Sequence, residues 1–152
     1  MKLPVLYFFC CLLLWACKSQ EELAEKPLTA QEQLLVAVEQ GWQLDGHYIS
    51  GSKQPNPPLI QWRFEAAPSL GRRSLVVDGN ELQKSTWELK DEIFVLYYPV
   101  NVSFGGKNSL RFEVERIENQ DLILRALEKA SLYGKLDLEV GDLIRWLPAP
   151  QP

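Results

Sequence analysis

Ile60-Gln61-Trp62-Arg63-Phe64-Glu65 alternates strictly between apolar and polar side chains, and that period of two decides the fold. Successive side chains of a strand leave on opposite faces, so Ile60, Trp62 and Phe64 share a face that must be buried. The same period recurs in both directions. Upstream, Trp42, Leu44 and Tyr48 alternate with Gln43, Asp45 and His47, which predicts a solvated histidine on the wet face. Downstream, Leu75 to Val77 runs into the tight-turn signal Asp78-Gly79-Asn80. Leu82 to Leu89 and Glu92 to Tyr98 form the next pair through Lys90-Asp91, and Leu110, Phe112 and Val114 alternate with Arg111, Glu113 and Glu115. Leu122, Leu124 and Ala126 follow the turn at Glu118-Asn119-Gln120. Leu136, Leu138 and Val140 lead through Gly141-Asp142 to the final run, Leu143 to Leu147. Breaks are marked by Pro68 and Gly71, by the proline-rich loop Ser50 to Pro58 and by the loop Pro99 to Asn108.

One helix precedes these strands. Thr29 and Glu32 stand at capping-box spacing, Leu34, Leu35 and Val38 form an apolar stripe, and Gly41 is the expected stop, so the spacing predicts a helix over 30–40. Eight or nine short strands with turns between them, and no helical pattern separating them, predict a mostly β fold. The expected architecture is an antiparallel barrel or sandwich in up-and-down meander order, preceded by one short α-helix. Four segments follow: a leader over 1–16, a polar tether over 17–28, the barrel domain with its helix over 29–148 and a tail over 149–152.

The leader opens with Met1-Lys2 and is apolar from Leu3 to Trp15, shorter than the roughly 20 residues that cross a bilayer as a helix. Leu14-Trp15-Ala16-Cys17 resembles the lipobox of bacterial lipoproteins, with Trp15 in place of the usual small or aliphatic residue. The resemblance implies cleavage before Cys17 and a diacylglycerol on its sulfur; an ordinary secretory signal cut nearby is the alternative. Lys18 stands where an aspartate would resemble the inner-membrane retention signal, so the implied location is the outer membrane. Cys17-Lys18-Ser19-Gln20-Glu21-Glu22 also resembles the acidic surface-export signals of Bacteroidetes lipoproteins. All three cysteines, Cys10, Cys11 and Cys17, fall in the leader or at its junction, so the folded part has no disulfide and no thiol chemistry. The chain carries a net charge of −4, one unit more negative once Lys2 leaves with the leader, which argues against nucleic acid as a partner.

Several barrel segments resemble lipocalins. Gly41-Trp42-Gln43-Leu44 is similar to their Gly-x-Trp start with the spacer missing, and Ile60-Gln61-Trp62-Arg63-Phe64 resembles their second strand. Ser85-Thr86-Trp87-Glu88-Leu89 and Phe112-Glu113-Val114-Glu115-Arg116-Ile117 resemble strands of lipocalin-like bacterial lipoproteins, the likeness covering about residues 41–127. No helix follows the last strand, as one does in the larger lipocalins. The resemblance implies an antiparallel up-and-down eight-stranded lipocalin-like barrel, preceded by one short α-helix, whose mouth can hold one small apolar ligand. By parity, Trp42, Tyr48, Trp62, Phe64, Trp87 and Phe112 face inward, as a ligand lining or as core filling the barrel.

Reactive constellations are scarce. His47 is the sole histidine, no Gly-x-Ser-x-Gly elbow accompanies it, and Gly105-Gly106 lacks the lysine-serine ending of a phosphate loop. Asp45, Glu65, Glu88, Glu113 and Glu115 fall on the wet sides of their strands, where a solvated face explains them better than a hydrolytic acid pair. No catalytic residue, metal or cofactor is predicted. Strand 93–98 is apolar on both faces, to be covered outside by the helix or offered, with the loop 99–108, to a protein partner in the envelope.

Overall fold

The computed structural model describes residues 27–69, 72–78, 80–99, 103, 106–118 and 120–150. The leader, Cys17 and most of the tether lie outside these residues. The described chain begins with helix α1 (Ala30–Val36). Thr29 Oγ1 accepts from the Glu32 N–H, and the Glu32 carboxylate accepts from the Thr29 N–H at 2.8 Å, closing the expected capping box. The helix is shorter than the predicted 30–40. Its end is met by a side chain: the Trp42 indole Nε1 donates to the Leu35 carbonyl at 3.1 Å, one of the orphan acceptors of a last turn. Val38 to Gly41 then turns the chain, Gly41 sitting at φ +81° where a Cβ would lie 2.5 Å from the Trp62 carbonyl oxygen.

Eleven strands follow in the described chain: β1 (Trp42–Ile49), β2 (Ser52–Lys53), β3 (Gln61–Ser69), β4 (Arg72–Val77), β5 (Asn80–Lys90), β6 (Ile93–Tyr97), β7 (Ser109–Glu118), β8 (Asp121–Ala126), β9 (Ala130–Leu132), β10 (Leu136–Leu138) and β11 (Leu143–Pro148). Neighbours pair antiparallel in the order β1-β3-β4-β5-β6-β7-β8-β11, and β11 returns to β1, closing the predicted eight-stranded barrel. Two elements depart from expectation. The run Leu136 to Val140 is no barrel stave, because β10 pairs only with β9 as a separate hairpin. Nor does Pro68 end its strand. The β3–β4 register shifts between Phe64 and Pro68, and such an irregularity tolerates a residue that has no N–H to give.

Both mouths are covered. Helix α1 packs on β3 and β7, which stand on opposite sides of the eight-strand ring, so it lies across the opening where β1 begins and buries Leu35 there. The β9–β10 hairpin lies across the other mouth. It is held by Tyr98, whose hydroxyl donates to the Ser131 carbonyl at 2.8 Å, by Ser85 Oγ and the Tyr133 hydroxyl at 3.2 Å, and by Lys135, which reaches Asp78 and the Leu59 carbonyl. Leu132 and Leu138 are buried beneath it. Between the covers, aromatic rings meet across the interior: Trp62 of β3 stacks on Trp146 of β11 at 3.8 Å and lies 5.7 Å from Phe94 of β6, while Phe64 meets Trp87 edge-on at 5.1 Å. Each such ring buries roughly 150–250 Å². The helix therefore does not sheathe the outside of β6, where Ile93, Val95 and Tyr97 are half-buried and Arg72 lies 3.5 Å over the Tyr97 ring.

Candidate functional site

Five of the six residues expected to face inward do so: Trp42, Trp62, Phe64, Trp87 and Phe112 are buried in the core. Tyr48 does not. The β1–β11 register runs Leu44 opposite Trp146 and then Gly46 opposite Arg145, so one extra residue bulges out at Asp45. A bulge exchanges the faces beyond it. Tyr48 is thereby turned to the outer surface beside Leu143, Arg145 and Ile123. His47 is turned inward and buried, against its expected place on the wet face. Gly46 leaves room for this on the outside, because a Cβ there would sit 2.7 Å from the Tyr48 ring.

The buried His47 has a partner that alternation could not indicate. Its Nε2 lies 2.8 Å from Asp142 Oδ2, with His47 5% and Asp142 4% exposed. The same carboxylate oxygen accepts from the Glu139 N–H at 3.0 Å. Asp142 thus ties the inner face of β1 to the turn that leads out of the hairpin. A partly buried ion pair marks the helix-covered mouth. Arg73, on the inward parity of Leu75 and Val77, reaches Glu32 of α1 at 3.1 Å and lies 5.8 Å from the Trp87 ring. Arg72-Arg73 ahead of Leu75 carried this signal in the sequence, as Gly46 inside a strand carried that of the bulge.

The carboxylates considered for hydrolysis lie on the outside and contact cations or a phenol. Asp45 pairs with Lys53 and Arg145, Glu65 with Arg63, and Glu113 and Glu115 with Arg125, while Glu88 accepts from the Tyr97 hydroxyl. Among the described residues no group of three or more histidine, cysteine, aspartate or glutamate side chains is placed to hold a metal ion. Also among them, no helix is long and apolar enough to cross a membrane. Among the described residues, hollows of about 220 and 260 Å³ lie side by side on the outside around Arg116, Asp121 and Arg145. Arg145 is drawn into the wall by two contacts to Asp121, at 2.8 and 3.3 Å.

The interior polar atoms form a small set. Ser85 Oγ and the Tyr133 hydroxyl meet near the hairpin. Burial pushes the Tyr133 phenol well above its ordinary range, with Ser85 and the neighbouring Trp62 indole pulling the other way, so Tyr133 is a neutral group. The Tyr98 phenol is raised by burial as well. Two interior indoles are satisfied, Trp42 by the Leu35 carbonyl and Trp87 by the Ser74 carbonyl at 3.0 Å. The indole N–H of Trp146 is buried without an acceptor, and that of Trp62 has only the Tyr133 hydroxyl beside it. Each unpaired donor of this kind costs about 1–3 kcal/mol. Comparison with family models, with curated proteins and with solved structures gives no match for this chain.

Proposed function

We propose that the mature chain is a lipid-anchored, lipocalin-like barrel of the bacterial outer membrane that binds a small, mostly apolar molecule and catalyses no reaction. The anchor is read from the lipobox at Leu14 to Cys17. The observation that carries the binding role is the unequal closure of an aromatic-lined barrel. One mouth is stopped by a helix whose last turn is bonded to β1, the other by a hairpin that pairs only with itself. A cover of the second kind can lift without breaking the barrel ladder.

Native mass spectrometry of protein extracted from its own membrane tests this proposal. An adduct of small-molecule size, beyond the mass of the lipidated chain, is expected. Protein that carries no such adduct and whose tryptophan emission ignores every apolar additive overturns the proposal.

A second role has its own support. With α1 across a mouth rather than along the wall, the outer side chains of β6, Ile93 and Val95, remain half-buried at the surface. They offer a protein partner in the envelope an apolar strip on a rigid wall. Photocrosslinkers at Ile93 and Val95 should then capture one discrete neighbour, and labelling no greater than at Glu113 would end that reading.

A further inference from the structure

The four interior indoles are not treated alike. Trp42 and Trp87 each give their N–H to a main-chain carbonyl. Trp146, 0% exposed, gives its N–H to nothing, and Trp62, equally buried, has only the Tyr133 hydroxyl beside its own. These two rings stack on each other at 3.8 Å, so the unpaired Trp146 donor and the Trp62 donor beside Tyr133 belong to one ring pair. The Trp62 indole also neighbours the Tyr133 hydroxyl, which meets Ser85 Oγ at 3.2 Å. Buried donors of a folded protein are otherwise almost always paired.

We infer that Trp62 and Trp146, with Ser85 and Tyr133 beside them, form the polar end of the ligand site and receive an uncharged carbonyl carried on an otherwise apolar molecule. This inference rests on the ligand-binding role proposed above. A carbonyl oxygen has two lone pairs and no hydrogen of its own, which suits surroundings that are rich in donors. An anion fits them poorly. The four side chains are neutral, and a carboxylate taken from water into an apolar interior needs a compensating cation. The candidate cations are engaged elsewhere: Arg73 with Glu32 at the opposite mouth and Lys135 with Asp78 on the rim. The path inward is the hairpin, which buries Leu132 and Leu138 and leads into Tyr133 at Ser85.

Three probes of matched chain length separate the possibilities: 2-dodecanone, dodecane and dodecanoate. Each is titrated into the full lipidated protein, with its indole nitrogens labelled and observed by NMR. The ketone is expected to bind about tenfold tighter than the alkane, the worth of one neutral hydrogen bond. It should shift the Trp62 and Trp146 indole N–H resonances while leaving those of Trp42 and Trp87 in place. Trp146→Phe keeps an aromatic ring at that position and removes the donor, and Tyr133→Phe removes only a hydroxyl. In either variant, once cooperative melting has been verified, ketone affinity should fall toward that of the alkane. Alkane binding as tight as ketone binding, or unmoved Trp62 and Trp146 resonances with ketone bound, overturns the carbonyl site and leaves the binding role standing. Dodecanoate binding tightest overturns the uncharged assignment. Failure of all three probes to bind overturns the binding role itself.

Discussion

Asp142 holds two parts of the molecule with one oxygen, accepting from Glu139 and meeting His47. Asp142→Ala strands a buried imidazole and a backbone N–H, and should cost about 3 kcal/mol in urea unfolding. Asp142→Asn, which keeps an acceptor, should cost clearly less, and equal losses would show that the contact matters only as packing. The phenols make a second prediction. Tyr98 and Tyr133 are raised by burial above their ordinary 10.0, so both stay protonated in the fold. Their contribution is complete below pH 10 and is lost as the pH climbs beyond it, because the unfolded chain releases its protons first. The unfolding midpoint should therefore fall from about pH 10 upward. Tyr133→Phe should flatten that fall, and a wild-type curve that stays level there would contradict the burial argument. Of the interior residues, Trp42, Trp62, Phe64, Trp87 and Phe112 were legible because each sits in a strand segment where counting by two holds. His47 and Tyr48 were misplaced because the count slips by one at Asp45, and Gly46 was its only trace.

Among the elements, the capping box at Thr29 and Glu32 was legible from spacing alone, whereas the early stop after Val36 was not. That stop is set by the Trp42 indole arriving at the Leu35 carbonyl from the following strand, a tertiary contact with no local signal. Half of the β9–β10 hairpin was visible, since alternation at Leu136 and Leu138 marked β10 as a strand. The three residues of β9 show too little alternation to separate them from loop, so the pairing of these two with each other was hidden. Independence from the barrel ladder predicts unequal protection. The β9 and β10 amides should exchange hydrogen well before those of β5 and β6, by about a hundredfold or more if the hairpin opens about 3 kcal/mol below global unfolding. Hydrogen exchange followed by mass spectrometry measures this directly, and equal protection across the two sheets would remove the gate from the binding proposal.

For the molecule as a whole, strand number and order could be read because an up-and-down meander pairs each strand with its sequence neighbour, which turn signals reveal. Closure joins strands at opposite ends of the domain, so it was implied by the lipocalin resemblance and not by the alternation or the turns. The proposed anchor concerns the whole molecule too. Cys17→Ser should move the protein from the membrane pellet to the soluble fraction or leave it with an uncleaved leader, and unchanged fractionation with the leader still removed would refute lipid attachment.

The seam between β1 and β11 has a temporal consequence. Beyond its start, where Trp42 and Gln43 face Trp62 and Gln61, β1 takes its main partner from Leu143–Pro148 at the far end of the domain. A nascent polypeptide therefore cannot finish its first stave until its final residues have been made. A product stopped before Leu143 would present two raw edges, β1 and β8, to any other half-made copy, and clumping of such truncated chains should be the characteristic failure of this protein's biogenesis.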